Sequence, residues 1–168
     1  MDLHIHDTDF VLDMLGQPEN VESRVTEDYS GPVHIFSLMT FPGFVVSLEG
    51  GWNYPSSWGF QMAFQAIYEH AVLDYDSRNG QGLTICESNG EPVPMKVSKP
   101  EAGSSTSGEG NLSELGGYYN QLLYFTECVR NGEPPQKATL QDGRASLELC
   151  LREIRLGQAA NKTTTVLG

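Results

Sequence analysis

Asp2-Leu-His-Ile-His-Asp7 places two of the chain's four histidines and two carboxylates within six residues, directly behind Met1. How this stretch folds decides what it can do. Side chains of a strand alternate faces. As a strand, the segment sets Asp2, His4 and His6 on one side and Leu3 and Ile5 on the other. That side then carries an acid, a possible metal ligand and a possible general base. From Thr8 the pattern changes: Phe10, Val11, Met14 and Leu15 recur at helical spacing, with Asp7 or Thr8 as cap and Gly16 then Pro18 as stop.

Further along, Val21 to Asp28 reads as a strand. Val33 to Phe41 and Phe44 to Trp52 form the clearest strand pair, with Pro42-Gly43 as the turn between them. Asn53 to Gly59 is an aromatic loop. Gln61 to Tyr68, Ala71 to Tyr75, Leu83 to Glu87 and Val93 to Val97 read as more strands. Residues 99–113 form a polar Gly/Ser/Glu loop. A helix follows from about Leu115 to Arg130, with Tyr118, Leu122, Phe125 and Val129 on one stripe; Asn131-Gly132 and Pro134-Pro135 end it. A last helix runs from Gln141-Asp142 to Leu156, buried through Leu147, Leu151 and Ile154. Gly157 closes it, and Thr163 to Leu167 is a candidate closing strand. Strands grouped before helices predict an α+β fold: a largely antiparallel, open mixed sheet with helices packed on one face.

The chain has 168 residues and a net charge of -12. That length supports one domain with a core, and the mean hydropathy of -0.33 suits a soluble protein. The acidity argues against a nucleic-acid partner, which needs clustered Lys and Arg. No stretch is apolar enough for a membrane span or a signal peptide. Cys86, Cys128 and Cys150 read as reduced, mostly buried thiols, so the expected location is cytoplasmic. Gly108-Glu-Gly110-Asn-Leu-Ser113 begins like a dinucleotide fingerprint but has Ser where the third Gly belongs. No phosphate loop, nucleophile elbow or paired-Cys motif is present.

His-x-His at alternate strand positions, with a carboxylate beside it, also resembles the opening metal motif of the amidohydrolases, which are metal-dependent hydrolases. Asp2, His4 and His6 are then the ligand candidates. More of the chain fits another pattern. Asp2-x-x-x-His6-x-x-Asp9 leading into Phe10 to Gly16, then Glu49-Gly-Gly-Trp52, Ala71-Val-Leu-Asp-Tyr75, Phe125-Thr-Glu-Cys-Val-Arg-Asn-Gly132 with Pro135, and Asp142-Gly-Arg-Ala145 with Leu147 occur in an order and spacing that resembles the Gfo/Idh/MocA oxidoreductases. The match is to their C-terminal domain and covers nearly the whole chain.

The resemblance implies that residues 1–168 form a single C-terminal α+β domain whose N-terminal Rossmann domain, holder of NAD or NADP, is missing; no cofactor is expected in this chain. It implies that His6 is the general base taking a hydroxyl proton and that Asp2 orients its imidazole. Asp9 is expected to cap or anchor the short helix. His4 stands where many relatives have Gly; it either lines the site or pairs with a carboxylate. Trp58, followed by Gly59, resembles an aromatic step that meets substrate in some relatives, and Tyr54 lies in the same loop; aromatic faces suit sugar-like ligands. His34 and His70 are expected to be structural or solvent-facing. The expected partners are a sugar-like small molecule and further copies of the chain, joined through the open sheet face or the former domain interface. A domain of this kind, incomplete alone, is expected neither to bind NAD(P) nor to turn over substrate. A non-catalytic ligand-binding or assembly module is the alternative outside catalysis.

Overall fold

The computed structural model describes residues 3–80, 82–95 and 112–166. The elements run α1 (His4–Leu15), β1 (Asn20–Asp28), β2 (Gly31–Phe41), β3 (Phe44–Gly51), a 3-10 turn (Ser56–Trp58), β4 (Ala63–Ile67), β5 (Ala71–Asp76), β6 (Leu83–Glu87), β7 (Val93–Pro94), α2 (Leu112–Asn131) and α3 (Leu140–Val166). The α+β class read from the sequence holds. The strands pair as two sheets, of three and four strands, and every pairing is antiparallel among the described residues, so the sheet is not mixed.

Contacts divide the chain into two compact units, Met1–Pro55 with Pro135–Gly168 and Ser56–Pro134. In the first, β1-β2-β3 form a meander. Its β2–β3 turn is the expected Pro42-Gly43, with Gly43 at φ +87, a conformation that favours Gly. Period-two alternation along β2 buries Val33, Ile35, Ser37, Met39 and Phe41 on one face. Of these, Met39 and Phe41 pack with Val21, Val11, Leu48 and Leu149 beneath α1 and α3, which lie on that same face. The buried Ser23 and Ser37 face each other across β1 and β2, and their hydroxyls bond at 2.9 Å.

Three helical expectations are corrected here. First, α1 begins at His4 rather than Thr8, and the backbone N–H of Gly16 closes it on Leu12. Neither Asp7 nor Thr8 caps it; the N-cap is Leu3, with no side-chain bond. Second, α3 does not stop at Gly157, and 163–166 are helical instead of a strand. Gly157 is where α3 meets β1. A Cβ there would lie 2.7 Å from Val25 Cγ1 and 3.0 Å from Val25 N. Third, the buried stripe of α3 is Ser146, Leu149, Cys150, Glu153 and Gly157, while Leu147 is exposed. Polar residues occupy core positions there because they bond to α1. Thr139 caps the helix reciprocally: Asp142 accepts from its N–H and hydroxyl at 2.8 Å each, and Asp142 N–H returns a bond to Thr139 Oγ1 at 3.2 Å. Arg144 pairs locally with Glu148 at 2.7 Å.

The second unit holds the β4-β5-β6-β7 meander and α2. Phe64 and Tyr75 are register partners, and their rings stack at 5.8 Å. Gly132, at φ +69, ends α2 as expected, and Glu133 N–H bonds back to Cys128 carbonyl. Leu122, Phe125 and Val129 of the expected α2 stripe are exposed, and Cys128 is the only buried residue of α2 among those whose side chains are described. The side chain of Tyr118 lies outside the described residues, as does the loop predicted over 99–113 up to residue 111; its last two positions, 112 and 113, are helical and open α2. All three cysteines are free, Cys86 partly accessible and Cys128 and Cys150 buried.

Candidate functional site around helix α1

The opening stretch is helical, and this changes which side chains share a side. Residues two apart on a helix point about 200° around the axis from each other. His4 therefore turns inward, with 2% of its surface exposed, while His6 stays exposed on the outer side. The shared strand face expected for His4 and His6 does not exist, and the two cannot ligate one ion. Among the described residues no cluster of three His, Cys, Asp or Glu is placed to hold a metal. Asp2 lies outside the described residues.

His4 pairs with a carboxylate. Its Nε2 donates to Glu153 Oε1 at 3.0 Å, from α1 to the middle of α3. Glu153 is fully buried. Its other oxygen accepts from Thr8 Oγ1 at 2.9 Å, and that hydroxyl also lies 3.1 Å from the His4 carbonyl. Thr8 follows His4 by one helical turn, so both reach the same carboxylate. Nearer the helix end, Asp9 accepts from Ser146 Oγ at 2.5 Å, which gives Asp9 the anchoring role expected of it. Three side chains of α1 thus fasten it to α3, and they fix the direction in which His6 leaves the helix.

Two consequences follow for nearby groups. Burial raises the Asp7 carboxyl above its ordinary range, and the charges of His4 and His6 pull it only partly back. Burial, assisted by the Glu153 charge, pushes the Cys150 thiol up to about 11, which leaves it unreactive as a thiolate near neutral pH. His4 Nδ1 is buried without a hydrogen-bond partner among the described residues; the Asp7 carboxylate stands 3.8 Å away.

The Glu49-Gly-Gly-Trp52 segment closes against two imidazoles. A Cβ on Gly50 would lie 2.8 Å from His4 Nδ1, and one on Gly51 would lie 2.5 Å from His34 Nδ1. Successive strand residues face opposite ways, so the two rings fill the missing side-chain space on opposite sides of β3. His34 is register partner to Gly51. It bonds Glu49 Oε1 through Nε2 at 3.0 Å and the Asn53 side-chain oxygen through Nδ1 at 2.9 Å. Its ring stacks on Phe36 at 4.7 Å and meets Tyr54 edge-on at 5.6 Å. The structural role expected for His34 is what its contacts describe. Tyr54 is half exposed in the first unit; Trp58 belongs to the second unit, where the Arg78 guanidinium lies 4.2 Å from its ring centroid.

Sequence reasoning missed Glu153, Thr8, Gly50 and Gly51. The glycine pair was visible as a motif, but its use as a seat for two rings was not. Glu153 carried a usable signal: a carboxylate at the same helical spacing as Cys150 and Gly157, on the side opposite the exposed charges.

A dinucleotide is held where a parallel strand turns through a Gly-rich loop into a helix. The described strands are all antiparallel, and α1 opens on Leu3. No described helix is long and apolar enough to cross a membrane.

No protein-family model matches the sequence, and no curated protein is similar to it. Solved structures are. A candidate oxidoreductase from Bacillus subtilis, yvaA, superposes with a TM-score of 0.64 at 15% identity, covering 95% of this chain and 48% of its own. Candidate oxidoreductases from Yersinia pestis and Magnetospirillum magnetotacticum MS-1 give TM-scores of 0.57 and 0.56 at 14% and 18% identity. They cover 97% and 94% of this chain and 47% of their own in each case. The chain spans about half the length of the solved structures it matches. At these identities the likeness is one of fold, and it agrees with the C-terminal-domain resemblance read from the sequence: this chain has the α+β fold of one half of these larger proteins.

Proposed function

We propose that this chain is the substrate-side domain of an NAD(P)-dependent oxidoreductase acting on a sugar, a polyol or a similar hydroxyl compound. The observation that carries the reading is the fold match, which takes in nearly all of this chain and half of each oxidoreductase. In this reading His6 accepts the substrate hydroxyl proton from the outer side of α1, with Asp2 orienting its imidazole. Imidazole suits the step because its pKa lies near neutral pH. Glu153, through His4 and Thr8, keeps that helix turn in place. Tyr54 is an aromatic contact to substrate in the unit that holds His6, and Trp58 is a separate candidate in the other unit. The nicotinamide is supplied by a nucleotide-binding domain, and the protein works in the cytoplasm.

The test has two parts. Calorimetric titration of the purified chain with NADH should show no binding; micromolar affinity would place the nucleotide site within these residues and overturn the division of labour. In a protein that joins the chain to its nucleotide-binding half, His6→Ala should lower turnover by about two to four orders of magnitude with an unchanged circular dichroism spectrum. Unchanged turnover removes His6 from the mechanism.

A second reading, a non-catalytic assembly module, draws on the sheet face away from α1 and α3. Phe36, Leu38 and Val45 are exposed there. Burying such a face in a homo-oligomer removes apolar surface from water. Light scattering that finds a strict monomer at all concentrations counts against it.

A further inference from the structure

Among the described residues, His4 Nδ1 is the one buried side-chain nitrogen or oxygen that no hydrogen bond reaches. The other side of the ring is settled. Nε2 donates to a Glu153 carboxylate whose second oxygen accepts from Thr8, so Nδ1 presents a lone pair while the ring is neutral. A buried acceptor without a donor is costly. Gly50 closes the β3 side, where a Cβ would lie 2.8 Å from Nδ1. The pocket beside the ring holds about 10 Å³, the lower limit for one water, and Val33, Ile35 and Ile154 are among its walls. A water needs two or more polar partners. The His34 ring in that wall already uses both nitrogens, on Glu49 and Asn53. One polar side chain comes near. Asp7 Oδ2 stands 3.8 Å from Nδ1, three residues along α1, and the Asp7 side chain is half exposed. That distance is too long for a hydrogen bond, and a carboxylate facing a lone pair has no proton to share.

We propose that the gap between His4 Nδ1 and Asp7 is a binding site for a single proton, and that filling it latches α1 onto α3. The proton comes from solvent. The Asp7 carboxylate turns and closes on Nδ1, and the proton lies between the two, whichever atom holds it. The Glu153–His4–Asp7 cluster goes from two negative charges to one. Sharing the proton draws positive charge onto the ring, which strengthens the Nε2–H bond to Glu153. The imidazole is then bonded at both nitrogens. Burial raises the Asp7 carboxyl; His4 and His6 pull it back, and the Glu153 charge adds to the rise. A raised carboxyl contributes stability that is present below its unfolded value and lost as pH rises through the folded one. The latch is therefore closed on the acid side and open on the alkaline side, with its midpoint above the ordinary carboxyl range.

The groups around the gap leave few rivals for that proton. α1 packs against α3 and β3. On α3, Glu153 is bonded through both oxygens, and the Cys150 thiol, raised to about 11, stays neutral at lower pH. β3 presents Gly50, while Glu49 bonds His34 on the other face of that strand. On α1 itself, Asp9 is held by Ser146, and His6 is exposed on the outer side. Asp2 and the chain's amino terminus lie outside the described residues. The proton site is independent of the oxidoreductase reading. Asp7 also acts on His6, so the same proton changes the charge felt by the proposed base; only that consequence rests on the reading.

Imidazole ¹⁵N spectra of the full chain, which has four histidines, read each ring nitrogen separately. From about pH 8 to about pH 4, His4 Nδ1 should move in a single-proton step from the position of a lone-pair nitrogen toward that of an N–H, while Nε2 keeps its proton. Over the same step, amide exchange corrected for its intrinsic pH dependence should show α1 protected about tenfold more. Asp7→Asn should abolish the step and the gain in protection. Asp7→Glu, which restores a carboxylate, should restore both, and Asp2→Asn should leave both in place. The Asp7 carboxylate is half exposed and makes no hydrogen bond among the described residues, so these variants keep the fold, as circular dichroism checks. A flat Nδ1 signal overturns the proposal. So does a step that survives Asp7→Asn, which assigns the nitrogen to water or to another carboxylate, and so does a step with no change in α1 protection. A protein joined to its nucleotide-binding half that shows no NAD(P)-dependent oxidation but keeps the Nδ1 step sinks the oxidoreductase reading and spares the latch. Oxidation by a joined protein whose Nδ1 signal stays flat sinks the latch and spares the reading.

Discussion

His4 and Glu153 are separated by 149 positions and meet at 3.0 Å with almost no solvent contact. Replacing His4 by Leu leaves the Glu153 carboxylate buried with Thr8 as its remaining partner among the described residues. Replacing Glu153 by Leu leaves an imidazole with neither nitrogen bonded. Removing one partner of a buried pair typically costs about 3–5 kcal/mol, whereas replacing both by apolar residues of similar volume is often neutral or stabilising. The Thr8 hydroxyl keeps the backbone carbonyl of residue 4 at 3.1 Å in every variant, so the double replacement creates no orphan there. Each single variant is therefore expected to lose about 3–5 kcal/mol, and His4→Leu/Glu153→Leu less than either. The coupling term, the double loss minus the two single losses, is then about -3 kcal/mol or more negative. Urea unfolding followed by Trp52 fluorescence in a Trp58→Phe background reads the unit that contains both residues. Strictly additive losses, or single variants within about 1 kcal/mol of the parent, would refute the claim that the pair fastens α1 to α3.

Three more outcomes follow from local geometry. Gly157→Ala gains about 1 kcal/mol of helix propensity but drives a Cβ into Val25 backbone and side chain; with overpacking at about 1–3 kcal/mol, a net loss in urea unfolding is expected instead of the usual gain. The Thr139 backbone N–H and hydroxyl hold the Asp142 carboxyl below its ordinary range. A depressed carboxyl contributes stability above its unfolded pKa and loses it as pH falls through the folded one. Asp142→Asn should therefore lower the thermal midpoint at pH 7 and leave it nearly unchanged well below about pH 4. Native alkylation by iodoacetamide at pH 8 should label Cys86 first and spare Cys150, whose thiol is raised to about 11; denaturant should expose all three, as mass spectrometry reads.

Where local chemistry settles an element, the sequence was legible. Pro42-Gly43 between alternating strands and Asn131-Gly132-Glu-Pro134 after a helix each carry their own geometry, and the structure places turn and helix end there. Thr139-x-x-Asp142 is another local signal, and Asp142 was read as an N-terminal residue. What failed was long-range. The alternation in Asp2-Leu-His-Ile-His mimics a strand; the helix that forms is fastened by Glu153, which no local window contains. Gly157 looks like a helix stop because Gly usually is one; its reason for being small is β1. The buried stripe of α3 was misplaced because it was read from apolar residues alone, whereas polar Ser146 and Glu153 hold buried positions whose partners sit on α1. In the same way His4 was left between two roles, and only the partner across the core decides it.

The two glycines of β3 turn an arrangement of contacts into a rule about substitution. Position 50 and position 4 draw on one volume, and positions 51 and 34 on another. A sequence that keeps this backbone can place a ring at position 4 or a side chain at position 50, but not both. The same exclusion links 34 with 51. Across diverging sequences these pairs should therefore change together, small for large and large for small, although neither pair is adjacent along the chain. A library that randomises positions 4 and 50 together should return Gly or Ala at one whenever the other is large. Randomising position 50 alone should return Gly.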